Sequence, residues 1–194
     1  MKHAGLLTAE RMDEVMMICA RENPVYEQVS NFSIALYVIG HYKCTDLMSL
    51  DDVDPSEAAS ILKEDFHEIA AEELPLSYDI RESDERFLVV FGDPAFPEHF
   101  AVLVNSASDK PYFSKLKFFG SGFDSLEELK QEFLGKDGVG WNDIAFFRRK
   151  RSLLKSGDMK KIYTIRDDGS YSIFEDESPL NAKEVDPCRT SMRL

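Results

Sequence analysis

Cysteine is scarce, long apolar runs are missing, and one stretch of more than fifty residues is nearly without bases. The three cysteines, Cys19, Cys44 and Cys188, show no regular spacing along 194 residues. That excludes a disulfide scaffold and predicts a reduced, cytoplasmic protein. No run approaches the roughly 18 apolar residues of a membrane span. Met1 to Leu7 lead directly to Glu10 and Arg11, without the apolar segment of a signal peptide. There is no internal repeat and no low-complexity tract.

The missing bases define the acidic stretch. Residues 46–98 hold sixteen acids against Lys63, Arg81 and Arg86, a balance of −13 that equals the net charge of the whole chain. The remaining residues carry twenty acids and twenty bases. Acidity this local argues against direct contact with nucleic acid or an anionic membrane, and for a basic protein surface as partner.

Helical periodicity dominates the first third. Thr8 is placed to cap a helix running to about Glu22, with Met12, Val15, Met16 and Cys19 on its apolar face. Asn23-Pro24 predicts the start of a second helix, through Val25, Val29, Phe32, Leu36 and Ile39 to Gly40. Asp54-Pro55-Ser56-Glu57 combines a cap, a first-turn proline and a capping-box glutamate. The third helix is expected to run from there to Pro75, which puts Glu64, Glu68 and Glu72 in one stripe.

After Pro75 the pattern turns to strands. Phe87–Phe91, Phe100–Val104 and Tyr112–Phe119 are short apolar runs separated by Gly92-Asp93-Pro94 and Asn105-Ser106. Leu76–Ile80 is expected to pair ahead of them. Ser125 and Glu128 frame a fourth helix carrying Leu126, Leu129 and Phe133, ended by Gly135. Ile144–Phe147 reads as a strand, and Ile162–Ile165 and Tyr171–Phe174 as a hairpin turning at Asp167-Asp168-Gly169-Ser170. The expectation is one α+β domain over residues 1–175, its N-terminal helices packed on a mostly antiparallel sheet with one further helix. A loosely held tail follows over 176–194.

Few residues assemble into recognisable chemistry. His67-Glu68 opens a zinc-binding HExxH motif, but Ala71 stands where the second histidine is required, so no metal site is expected. Gly120-Ser121-Gly122, ahead of a helix, could present N–H groups to an anion but lacks a Walker lysine. Gly135–Gly140 reads as a flexible loop. No cofactor is expected.

One order of residues stands out. His99 precedes the run Phe100–Val104, then come Tyr112-Phe113-Ser114, Gly120 and the helix from Ser125. Over residues 99–133 this resembles the second half of bacterial papain-like and transglutaminase-like cysteine hydrolases. The resemblance implies a base histidine opening a strand, an orienting Asp or Asn on the next strand, and a cysteine at the start of a central helix. Here Tyr112–Lys117 contains Ser114 and no carboxylate, and the central helix reads Ser30-Asn31-Phe32-Ser33. Cys44, beyond the expected end of that helix, is the candidate thiol to pair with His99.

The leading expectation is a non-enzymatic interaction protein, an inhibitor or regulator of a nucleic-acid-handling enzyme. Its partner surface would comprise Asp51, Asp52, Glu64, Asp65, Glu68, Glu72, Glu73, Asp79, Glu82, Asp84 and Glu85. The alternative is a cysteine hydrolase or acyl-transfer enzyme using Cys44 and His99. The basic run Arg148-Arg149-Lys150-Arg151 could meet the acidic stretch of a second copy and form a homo-oligomer.

Overall fold

A computed structural model describes residues 4–21, 29–42, 47, 52–117, 119–150, 161–165 and 171–175. The architecture is α+β, with helices first and an antiparallel sheet after them. The chain divides into two compact units, Met1–Arg151 and Ser152–Leu194. The second contains the hairpin β7 (Lys161–Ile165) and β8 (Tyr171–Glu175), with Ile162 opposite Phe174. The tail expected over 176–194 lies outside the described residues. No helix among the described residues is long and apolar enough to cross a membrane.

The first unit holds helices α1 (Ala4–Ile18), α2 (Asn31–Val38), α3 (Pro55–Asp65) and α4 (Leu126–Phe133). Among the described residues its sheet has six strands, β1 (Phe66–Ile69), β2 (Phe87–Asp93), β3 (Phe96–Leu103), β4 (Tyr112–Leu116), β5 (Gly120–Asp124) and β6 (Ile144–Arg149), in spatial order β1-β6-β2-β3-β4-β5. Phe32 of α2 packs edge-on against Phe100 at 4.8 Å, while Phe133 of α4 stacks on His99 at 4.1 Å. Neighbouring residues of a strand face opposite sides. The two helices therefore cover opposite faces of β3.

Several boundaries differ from the sequence expectation. α1 begins at Ala4 rather than at Thr8, which is buried inside the helix and accepts a hydrogen bond from Arg86. α2 begins at Asn31, not at Pro24, because Ser30 is its cap: the hydroxyl accepts the Ser33 N–H at 3.1 Å. The Asn23-Pro24 signal lies outside the described residues.

The largest departure is α3. Its start is as expected, with Asp54 accepting the N–H groups of Ser56 and Glu57, and Glu57 accepting the N–H of Asp54. Its end is ten residues early, because Phe66 turns extended, is buried, and pairs with Arg149 as the first residue of β1. Lys150 holds that end: its Nζ donates to the carbonyls of Lys63 and Glu64, and its N–H donates to Asp65. Residues 71–73 form a separate 3-10 turn.

The expected strand Leu76–Ile80 is reduced to a single bridge, Asp79 with Asn105. Gly120-Ser121-Gly122 is part of β5 rather than an anion loop, and Ser121 donates from both N–H and hydroxyl to Cys19 O. That contact covers the outer edge of β5. The Gly135–Gly140 segment is an ordered turn, with Gly135 N–H donating to Val139 O and Val139 buried.

Candidate functional site

The acidic residues do not form a stripe. Glu64 lies in the last turn of α3, Glu68 on the edge strand β1, and Glu72 in the 3-10 turn, all three exposed. The sheet register places them. Phe66 pairs with Arg149, and Phe87 with Arg148, so the start of β1 and the start of β2 lie at one end of the sheet. Glu64, Asp65, Glu82, Asp84 and Glu85 flank that end. Glu72 and Glu73 follow Ile69, whose partner Phe146 lies toward the opposite end.

Several of these acids have local tasks. Glu73 accepts the Ala70 N–H at 3.0 Å, and Asp79 accepts the Arg81 N–H at 2.8 Å. Asp52 accepts from Ser30 N–H and Ser33 Oγ at the start of α2. Asp65 lies 3.4 Å from His41 Nδ1, too poorly aligned for a hydrogen bond. Glu64, Glu68, Glu72, Glu82 and Asp84 have no ion pair among the described residues. Asp51 lies outside them.

Arg86, Arg149 and Lys150, near this surface, are drawn onto backbone carbonyls, while Lys63, Arg81 and Arg148 are exposed. Arg86 is 3% exposed and donates to the carbonyls of Ser83 and Glu85 and to Thr8 Oγ1. Arg149 donates to Ile39 O at 3.1 Å, and Arg11 to Tyr37 O at 2.8 Å, so both complement the C-terminal carbonyls of α2. Lys150 caps α3. Of the basic run, Arg148 is exposed and Arg151 lies outside the described residues.

A second feature surrounds His99, where β3 and β4 part. They pair at Val102–Phe113 and Leu103–Tyr112, and not beyond. Val104 N–H donates to Pro111 O, so even-numbered residues of β3 direct their backbone groups toward β4. Phe100 N–H and Glu98 C=O thus aim into the fork, where β4 has diverged. The Asn31 side chain takes both: Oδ1 accepts from Phe100 N–H at 2.9 Å, and Nδ2 donates to Glu98 O at 3.2 Å. An amide at the first turn of α2 thereby replaces a strand.

The fork opens into a cleft of about 440 Å³ lined by α2's first turn, His99, Lys115 and Phe133. His99 is 1% exposed, and its Nε2 is buried without a hydrogen-bond partner. Burial, and secondarily the charge of Lys115, push its pKa down to about 3, so the ring is neutral at pH 7. Lys115 is 4% exposed. Ser114, on the same face as His99, also leaves its hydroxyl without a partner. Cys44 lies outside the described residues.

Lys115 and Asn31 were not identified from the sequence. A signal for Lys115 existed: it stands two residues after Phe113 in an apolar run, so it shares the inward face of β4. Asn31 had none, since its role depends on where β3 and β4 separate. The chain matches no protein-family model, no curated protein and no solved structure.

Proposed function

We propose that the protein is a non-enzymatic partner that docks a basic surface of another protein, as an inhibitor or regulator of a nucleic-acid-handling enzyme. The supporting observation is the rim at the β1/β2 end of the sheet. Glu64, Glu82 and Asp84 are exposed there without ion pairs, and Arg86 in the same stretch is turned inward. Solvated acidic faces usually interleave bases for local support. This one has Lys63 and Arg81 nearby in sequence and Arg148 exposed on β6 at the same end of the sheet, fewer bases than the acids they face. A facing set of Lys or Arg would remove the mutual repulsion and speed encounter.

His99 weighs against the hydrolase alternative. A ring with its pKa near 3 is a weak general base at neutral pH.

The test is affinity capture from the native host at low and moderate salt, with wild type beside the triple variant Glu64→Lys, Glu82→Lys, Asp84→Lys. Capture by wild type, lost in the variant with an unchanged circular dichroism spectrum, supports the reading. Equal capture by both rejects it.

A further inference from the structure

Beside the C-terminal end of α2 lies a cavity of about 390 Å³, walled by Arg11, Arg86 and Arg149 together with Leu7, Ile39 and Tyr42. That volume suits a small molecule. The guanidinium groups themselves reach the wall, because each donates to a residue that lines it. Arg149 donates to Ile39 O, Arg86 to Thr8 Oγ1, and Arg11 to Tyr42 O. Arg11 Nη1 also lies 3.1 Å from where a Cβ on Gly40 would stand, and Gly40 is in the same wall.

Three like charges around one cavity repel one another. Burial, and then the charges of Arg86 and Arg11, lower the pKa of Arg149 against the opposing pull of Asp65. Arginine nevertheless stays charged, so the repulsion persists in the folded protein. Arg86 and Arg149 bond only neutral acceptors, and neither has a carboxylate at ion-pair distance among the described residues.

The nearby negative charge is smaller. Asp84 is the acid in the wall, and it is exposed. Asp65 lies outside the wall with its side chain half exposed, where solvent screens it. The C-terminal end of α2 adds about half a negative charge. Roughly one to two positive charges therefore stay uncompensated. A phosphomonoester carries about 1.5 to 2 negative charges near pH 7, a closer match than a single carboxylate. A guanidinium has several N–H donors in a fork that fits phosphate oxygens, and Arg149 spends Nη1 on Ile39.

We propose that this cavity binds a small phosphomonoester. Its phosphate accepts hydrogen bonds from Arg149 between the charges of Arg11 and Arg86, and its organic body lies against Leu7, Ile39 and Tyr42.

Phenyl phosphate and inorganic phosphate are the probes, each titrated into the full chain at low salt near neutral pH and followed by NMR. The expected result is a saturable shift of the Gly40 amide by phenyl phosphate, with a dissociation constant below about 1 mM. Gly138, in the turn after α4, should not move. Arg149→Gln keeps an N–H donor for Ile39 O and should weaken binding at least about tenfold. Arg148→Gln removes the same charge from the opposite side of β6 and should change it less than about twofold. If Arg149→Gln does not fold, the wild-type Gly40 shift decides alone. Absence of that saturable shift overturns the proposal, as does equal affinity in a folded Arg149→Gln. Inorganic phosphate binding as tightly as phenyl phosphate would assign the site to the free ion and overturn the monoester.

Discussion

Asn31 bonds both backbone groups that β3 directs into the gap left by β4: the Phe100 N–H at 2.9 Å and the Glu98 carbonyl at 3.2 Å. The side chain holds the fork open and ties the start of α2 to the sheet at the same time. Removing it leaves a donor and an acceptor that no strand can reach. Asn31→Ala should therefore cost about 1–3 kcal/mol in urea unfolding. Asn31→Asp should cost a similar amount, because its carboxylate keeps the Phe100 bond but opposes the Glu98 carbonyl. A loss below about 0.5 kcal/mol in both variants would show that water replaces the amide.

His99 should make the protein acid-sensitive. Burial holds its pKa in the folded protein down to about 3, against the 6.5 of an ordinary imidazole in the unfolded chain. Between those values the unfolded state binds the extra proton, so stability is fully present above pH 6.5 and falls as pH drops toward 3. One such group contributes about 1.4 kcal/mol per pH unit, or about 2 kcal/mol between pH 6.5 and 5. Denaturant curves at those two pH values should show that extra loss in wild type. They should show correspondingly less in His99→Leu, whatever the absolute stability of the variant.

Gly120 should tolerate no side chain. Its φ is +69°, and a Cβ there would lie 2.7 Å from Ala20 O and closer still to Cys19 O. Both oxygens belong to the segment that covers the outer edge of β5 through Ser121. Gly120→Ala combines a left-handed backbone with a backbone clash, and should destabilise by about 2 kcal/mol or more. Thermal melting would read this directly. Gly138, also at positive φ but with nothing near its Cβ position, is the control for the backbone term alone.

Charge reversal at Glu64, Glu82 and Asp84 should leave unfolding free energy within about 0.5 kcal/mol per site, because exposed groups without partners contribute little to the fold. The effect belongs to association: the wild-type on-rate for a captured partner should fall steeply between low and moderate salt. A salt-independent rate would place the contact elsewhere on the molecule.

Cys44 decides the alternative chemistry. The interaction reading predicts alkylation no faster than an ordinary thiol of pKa about 8.5. Labelling several-fold faster at pH 7, abolished by Cys44→Ser, would favour an activated thiol.

The legible parts of the chain were those with local causes. Asp54-Pro55-Ser56-Glu57 and Ser125 with Glu128 start helices through side-chain bonds spanning three residues, and both capping boxes form. Phe87–Phe91 and Phe100–Val104 are near-continuous apolar runs, and their central residues pair as β2 and β3. The illegible parts have distant causes. Phe66–Ile69 carries helical periodicity, yet becomes strand because Arg149 and Lys150, more than eighty residues on, pair with its start and cap the helix before it. Gly120–Asp124, with two glycines, becomes strand because β4 and the Cys19–Arg21 segment offer hydrogen bonds on either side.

By itself, then, the sequence determined the α+β class, the starts of α3 and α4 and the excess of acid in residues 46–98, since composition, caps and periodicity act over a few residues. The tertiary structure alone decided which acids share a surface, that Arg86 turns inward, and that His99, Lys115 and Asn31 meet at one fork. Those outcomes depend on strand register and on where two strands part, and both are settled by contacts between residues far apart in the chain.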